Sequence, residues 1–252
     1  MNREELKKYI GVTAFSLGHV EKDYFQHVVL NTLSRRWGSY LVFKGGTALQ
    51  KVGLLSRFSE DLDFTEDKEI SIGTIAENVV RAIESYNFPV GTDNLTDTEM
   101  TAGFRVKIRG PLYRNNRGIC TIRVEISRRE EVLMDPEVQE INPPYKDVLP
   151  YVVRVMDRDE IVAEKIRAVM TRDKVRDLYD LYMLIEHGAS LDRDMVEKKL
   201  KFYHLSLEPS VVYDRCEELA KRWDKDLSSL MENVPPKENA LARVKSEISK
   251  IC

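Results

Sequence analysis

Apolar and polar positions change their period several times along the chain, and each change marks an element. Residues 3–17 and 19–36 predict two helices. In the second, Tyr24, His27, Val28 and Asn31 fall near one another with Phe25, Val29 and Leu33 alongside, a broad stripe at helical spacing. The apolar run Tyr40-Leu41-Val42-Phe43 predicts a strand that breaks into a turn at Lys44-Gly45-Gly46, and a helix over 47–52 follows. Leu62 and Phe64 then alternate with Asp61 and Asp63, the period of two that a strand requires. Over 72–85 the positions Ile72, Ile75, Ala76, Val79, Val80 and Ile83 define an amphipathic helix. Residues 89–101 are polar, contain glycine and predict a loop.

Two strictly alternating strands come next. In the first, Phe104, Val106 and Ile108 face one way and Arg105, Lys107 and Arg109 the other; in the second, Ile122, Val124 and Ile126 oppose Thr121, Arg123, Glu125 and Ser127. The turn between them carries Arg114 and Arg117. Pro136, Pro143, Pro144 and Pro150 make residues 130–150 an irregular connector, which predicts a boundary between a domain over 1–150 and a helical domain over 151–252. Helices are expected at 160–171, from Val175, and at about 192–203, 208–225 and 237–250. The fold class is therefore α+β.

Charge sharpens this picture in one place. The 252 residues include 39 Lys and Arg against 42 Asp and Glu, a net charge of −3, which argues against a chain coated by nucleic acid and leaves a local basic site open. Between Arg105 and Arg129 there are eight Arg or Lys residues and one carboxylate, Glu125. That concentration fits a phosphate-rich substrate or a charged edge that resists aggregation. No apolar stretch approaches the roughly 20 residues that cross a bilayer, and the charged start lacks a signal peptide's apolar core, so no membrane association and a cytoplasmic location are expected. The three cysteines are too scattered for a disulfide framework or a zinc cluster, and the four histidines have no ligand spacing. Cys–His and Ser–His catalysis lack support.

The chemistry concentrates in two short motifs. Adjacent Gly45 and Gly46 let backbone N–H groups approach an anion closely. Asp61 and Asp63 on one strand face repel each other unless a cation lies between them, and magnesium, with manganese as a substitute, takes one or two carboxylates plus substrate phosphates. Lys44 faces phosphate or solvent, and Ser59 binds phosphate or caps the turn. Further on, Lys165 lies within the apolar stripe Ile161, Val162, Ile166 and Val169 and needs an anion there. That anion is a phosphate, or Asp177 or Asp180. The two aspartates share a helix face; one orients Lys165 or acts as a base, or they simply complement the helix dipole. Asp180 is expected to be the more exposed.

Phe43-Lys44-Gly45-Gly46-Thr47-Ala48-Leu49, with Arg57-Phe58-Ser59-Glu60-Asp61-Leu62-Asp63-Phe64, closely resembles the abortive-infection nucleotidyltransferases of the AbiEii/AbiGii type. The resemblance extends over about residues 21–185 and includes Glu21-Lys22-Asp23-Tyr24, Ala163-Glu164-Lys165-Ile166-Arg167-Ala168 and Val175-Arg176-Asp177-Leu178-Tyr179-Asp180. It implies a polymerase β-like core, a mixed sheet with flanking helices, followed by a C-terminal helical domain that completes the cleft. It implies Glu125 as a third metal-binding carboxylate beside Asp61 and Asp63, the alternative being that Glu125 only pairs with Arg123 or Arg105. Gly45, Gly46 and Thr47 would hold the outgoing phosphates, with Lys44, Arg57, Ser59, Arg105, Lys107 and Arg123 also on the substrate. Lys165 would clamp the triphosphate, and Asp177 and Asp180 would join the catalytic set. The implied activity is transfer of a nucleoside monophosphate from a nucleoside triphosphate to a tRNA end or other RNA, by a toxin countered by an antitoxin protein. Transfer to a protein hydroxyl or to the chain itself, a non-catalytic nucleotide-binding role, and a kinase are the rivals; the chain has no glycine-rich kinase loop and no Walker motif.

Overall fold

The alternating segments assemble into one seven-stranded sheet in a computed structural model that describes residues 1–251. Helices α1 (Arg3–Lys7), α2 (Ile10–Thr13) and α3 (Leu17–Trp37) lead into strand β1 (Leu41–Lys44) and helix α4 (Gly45–Lys51). Strand β2 (Leu62–Glu66) and helix α5 (Ile72–Ser85) follow, then β3 (Val90–Asp97), β4 (Thr101–Ile108), β5 (Cys120–Ser127), β6 (Glu137–Ile141) and β7 (Tyr151–Val155). The strands lie in the order β3-β4-β5-β2-β1-β7-β6. β2 runs parallel to β5 and β1 parallel to β7, while the other neighbours are antiparallel. The sheet is mixed, as expected.

Alternation decides which face is covered. Leu62, Phe64, Phe104, Val106, Ile122, Val124 and Ile126 are buried on one face, and α3 and α5 pack against the sheet. Each such side chain contributes about 1.5–3 kcal/mol on leaving water, enough to fix the register, because a one-residue slip would expose the whole set.

The structure departs from expectation where strands lie at the edges. β3, in the predicted loop 89–101, is almost wholly exposed, so it carries no apolar alternation to read. β6, inside the predicted connector, is a polar edge strand, and β7 is a strand where helix was expected. The predicted first helix is two short ones, α1 ending at Lys7 and α2 at Thr13, where Ala14 takes a left-handed φ of 57° and stops the helix short of α3. Ser16 then caps α3 by accepting the His19 N–H.

The chain divides into two compact units. The first comprises Met1–Ala48, Phe58–Val132 and Pro136–Val155 and contains the whole sheet; the second comprises Leu49–Arg57, Leu133–Asp135 and the chain from Met156 onward. The second is helical, with α6 (Arg158–Thr171), α7 (Val175–Glu186), α8 (Arg193–Lys201), α9 (Pro209–Ala220), α10 (Trp223–Leu227) and α11 (Lys237–Ile248). Among the described residues no helix is long and apolar enough to cross a membrane.

Candidate active site

Asp63 lies in β2 between two cross-strand partners. On the antiparallel side it faces Lys44, the last residue of β1; on the parallel side it faces Glu125 of β5, which in turn faces Gly103 of β4. Since Leu62, Phe64, Val124 and Ile126 point into the core, Asp61, Asp63 and Glu125 share the opposite face, each partly exposed. The sheet thus sets on one face, from segments some sixty residues apart in sequence, the three carboxylates predicted to act together.

The glycines serve this row directly. Gly45 has a φ of +75°, and a Cβ there would meet Asp63 Oδ2 at 2.7 Å. Only glycine tolerates both the conformation and the approach. The predicted turn is in fact the start of α4: the strand passes into the helix with no connector, because the single positive φ redirects the chain.

Two buried side chains hold the segment before β2. Thr47, expected on a phosphate, donates its hydroxyl proton to the Asp61 carbonyl at 2.5 Å, and it is fully buried. Gln26 of α3 donates through Nε2 to the carbonyls of Ser59 at 2.8 Å and Glu60 at 2.9 Å. Both acceptors are carbonyls, so the amide's NH2 must face them. The carbonyls of Ser59, Glu60 and Asp61 are therefore all fixed from behind. The sequence does not single out Gln26; its only signal is an amide within an apolar helix stripe, which does not name a partner. Ser59 and Lys44, both predicted at the substrate, are buried at 8% exposure each.

Glu125 is engaged elsewhere. It pairs with Arg123, two residues earlier on the same strand face, and both side chains are nearly half exposed, at 41% and 47%. Lys107 pairs with Asp93 of β3, and Arg105 is the cross-strand partner of Arg123. Among the described residues no three His, Cys, Asp or Glu side chains converge where a metal ion would sit. The donor chemistry nevertheless fits magnesium, which keeps several waters and binds one or two carboxylates with substrate phosphates. Asp61 and Asp63 would supply those two, and the glycine backbone against Asp63 puts no side chain from residue 45 over its carboxylate.

The second unit holds a separate charge cluster. Arg57 is 1% exposed and grips Asp180 with both Nε and Nη2, each 2.6 Å from a carboxylate oxygen. Lys165 Nζ lies 2.8 Å from Asp177 Oδ1 and 2.7 Å from Asp180 Oδ2. Two cations thus balance two anions. Burial would push the Asp180 carboxyl up, but Arg57 and Lys165 outweigh it and hold it below the ordinary range. Burial would likewise lower Lys165, and the two aspartates hold it above its ordinary value.

This arrangement corrects the expected exposure of Asp180, which is fully buried. α7 buries nearly its whole circumference from Asp177 to Tyr182, so no side of it is left for an exposed aspartate. Arg57, expected against substrate, is turned onto that buried carboxylate, since a guanidinium so enclosed needs an anion of its own. α6 is also buried on almost every side from Glu160 to Val169, which is why Lys165 finds protein carboxylates within reach.

A mixed sheet presenting acidic residues beside a Gly-Gly helix start, with flanking helices and a helical region after it, is the architecture of the polymerase β-like nucleotidyltransferases. MenT4, a nucleotidyltransferase toxin from Mycobacterium tuberculosis H37Rv, has a similar solved structure, with a TM-score of 0.68 and 22% identity over 100% of this chain and 89% of that one. JHP933 from Helicobacter pylori matches with a TM-score of 0.58 and 22% identity, covering 94% of this chain and 93% of its own. At such identities the likeness is one of fold. The narrower assignment comes from the sequence family described as nucleotidyl transferase AbiEii toxin of type IV toxin–antitoxin systems: its profile matches residues 29–244, and the chain belongs to this family. No curated protein matches the chain.

Proposed function

We propose that the chain transfers a nucleoside monophosphate from a nucleoside triphosphate to a hydroxyl at a tRNA end, with magnesium or manganese, as the toxin of a pair whose partner is an antitoxin protein. One observation carries this reading: Asp63 and Glu125 oppose each other across parallel strands, with Asp61 on the same face and Gly45 against Asp63. The acceptor oxygen bonds to the α-phosphorus, the bond from that phosphorus to the bridging oxygen breaks, and pyrophosphate leaves with the electron pair. The hydroxyl's proton passes to a neighbouring carboxylate, for which Glu125 is the candidate.

Asp61 and Asp63 would hold the metal, with Glu125 as the third ligand beside the acceptor hydroxyl. Bound magnesium would lower the acceptor hydroxyl's pKa and neutralise charge at the α-phosphate and the leaving pyrophosphate. Backbone N–H groups at Gly45 and Gly46 and the Lys44 ammonium would face the leaving phosphates. Thr47 and Gln26 act through the backbone, by fixing the carbonyls of residues 59–61. Arg57, Lys165, Asp177 and Asp180 are assigned here a structural role within the second unit, where the two cations and two anions neutralise one another.

The test is incubation with each α-labelled nucleoside triphosphate, magnesium, total RNA and total protein, beside Asp63→Asn. Label on tRNA that disappears in the variant is expected. Label on protein would keep the carboxylates and replace the acceptor; no label on any acceptor would refute the transfer.

A further inference from the structure

The sheet face that carries Glu125 also borders an open, solvent-accessible cavity of about 470 Å³. Gly103, Arg105, Arg123 and Glu125 line it, and Leu95 and Thr96 stand at its side where β3 breaks register with β4. Gly103 is obligatory here: a Cβ would come within 2.6 Å of the Val124 carbonyl. Its lack of a side chain leaves the surface beside Glu125 open.

The charges in this cavity do not close on themselves. Arg105 and Arg123 are direct cross-strand partners, an unfavourable placement for like charges unless an anion lies between them. Glu125 answers one of the two. Asp93, the other cross-strand neighbour of Arg105, is taken by Lys107, and Arg105 makes no ion pair among the described residues. A phosphate presents more charge and more acceptor oxygens than a carboxylate, and guanidinium groups bind it in bidentate fashion.

We propose that this cavity is a phosphate subsite for a nucleic-acid acceptor, and that the phosphate, by drawing Arg123 to itself, releases Glu125 toward Asp61 and Asp63. The inference rests on the nucleotidyl-transfer reading above. It explains why the three carboxylates share a face and yet do not converge: the third is held back by a cation that the acceptor removes. A nucleic acid is favoured over a phosphorylated side chain because Arg105 and Lys107, the latter paired with Asp93, share one face of β4 and Arg109 follows just past its end, at intervals of about 6.8 Å. Successive phosphates of one strand can follow that row, whereas a single phosphate fills one position.

Both halves are tested on the full chain without any nucleoside triphosphate, so that no transfer takes place. The probe is a short single-stranded RNA oligonucleotide, its affinity read by fluorescence anisotropy over a range of salt, with Mn2+ binding read by electron paramagnetic resonance. Arg105→Ala and Arg123→Ala should each weaken RNA binding about tenfold and reduce the salt slope by about 1. Arg35→Ala, a charge loss outside the cavity, should leave it unchanged. In the wild type the RNA should tighten Mn2+ binding several-fold, and Mn2+ should tighten RNA binding by the same factor. Arg123→Ala should bind Mn2+ tightly with no RNA present and show no coupling; Arg123→Lys should retain part of it.

RNA affinity indifferent to both arginines would overturn the subsite, as would a preference for a phosphopeptide over the RNA. Weakened RNA binding in Arg123→Ala with Mn2+ affinity and coupling unchanged would overturn the release of Glu125. Because neither readout uses transfer, a failed labelling experiment and a failed subsite are told apart.

Discussion

Replacing Gln26 by Met keeps the length and most of the volume of the side chain and removes its donors. Two hydrogen bonds disappear, to the Ser59 carbonyl at 2.8 Å and the Glu60 carbonyl at 2.9 Å, the first wholly buried and the second partly so. A buried acceptor left unsatisfied costs about 1–3 kcal/mol. If the segment stays in place, Gln26→Met should lose about 2–4 kcal/mol, counting the partly exposed carbonyl at the lower end. If it shifts to find water, the stability loss shrinks and Asp61 moves. A displacement near 1 Å at a reacting group is worth up to about 100-fold in rate, so kcat should fall while KM for the nucleotide changes little. Urea denaturation and steady-state transfer kinetics together separate the two responses. Gln26→Glu, which has no donor when ionised and a single one when protonated, cannot restore both bonds and should also fall below the wild type on one measure or the other. Wild-type stability and wild-type kcat in both variants would refute the reasoning.

The buried cluster of the second unit makes a different demand. Asp180→Asn leaves Arg57 and Lys165 facing Asp177 alone, and breaking such a pair should cost about 3–5 kcal/mol, seen as a fall in Tm of about 6–20 °C. The Asp180 carboxyl is held below its unfolded value, so its contribution is complete above that value and is lost as pH falls through the lower, folded one; Asp180→Asn should lose this component of acid sensitivity in urea titrations. Glu21 shows the opposite sign. Burial raises its carboxyl despite the Leu112 N–H it accepts at 2.7 Å, so stability should decline as pH rises from the unfolded carboxyl value through the raised folded one, and Glu21→Gln should flatten that decline. Gly45→Ala should strain the backbone by about 1–2 kcal/mol and push Asp63 aside, abolishing transfer with only a modest change in melting temperature. Wild-type transfer by that variant would remove Gly45 from the site.

The parts of the fold that were legible are those in which one face is buried. β2, β4 and β5 alternate because their inner residues are buried, β4 against α5 and β5 against α3, and that alternation sets Asp61 and Asp63 on the outer face of one strand and Glu125 on the outer face of another; that the two strands are neighbours is implied by the family resemblance and not by the alternation. The strands β3 and β6 were not legible because β3 exposes nearly all its residues and β6 places Glu137 and Gln139 on its more covered face, and polarity of that kind looks the same in a loop and in a strand. The grip of Arg57 on Asp180 was hidden for another reason: the two lie 123 residues apart in sequence, and neither composition nor periodicity pairs one charge with another at that range. Gln26 was hidden because its partners are backbone carbonyls, which every residue possesses.

The place of Glu125 in the strand order bears on how the chain comes to life. β1 and β2 are neighbours joined by a short helical excursion, so the Asp61 and Asp63 half of the row can form from local contacts alone. β5 pairs with β2 in parallel, and only after α5, β3 and β4 have been laid down. Parallel pairing over that span carries a larger loop-closure penalty and forms more slowly. During synthesis the nascent chain therefore carries two acidic residues of the row well before the third can join them. A ribosome that stalls or releases its product ahead of Cys120 leaves a fragment with the glycine motif and both aspartates but without Glu125.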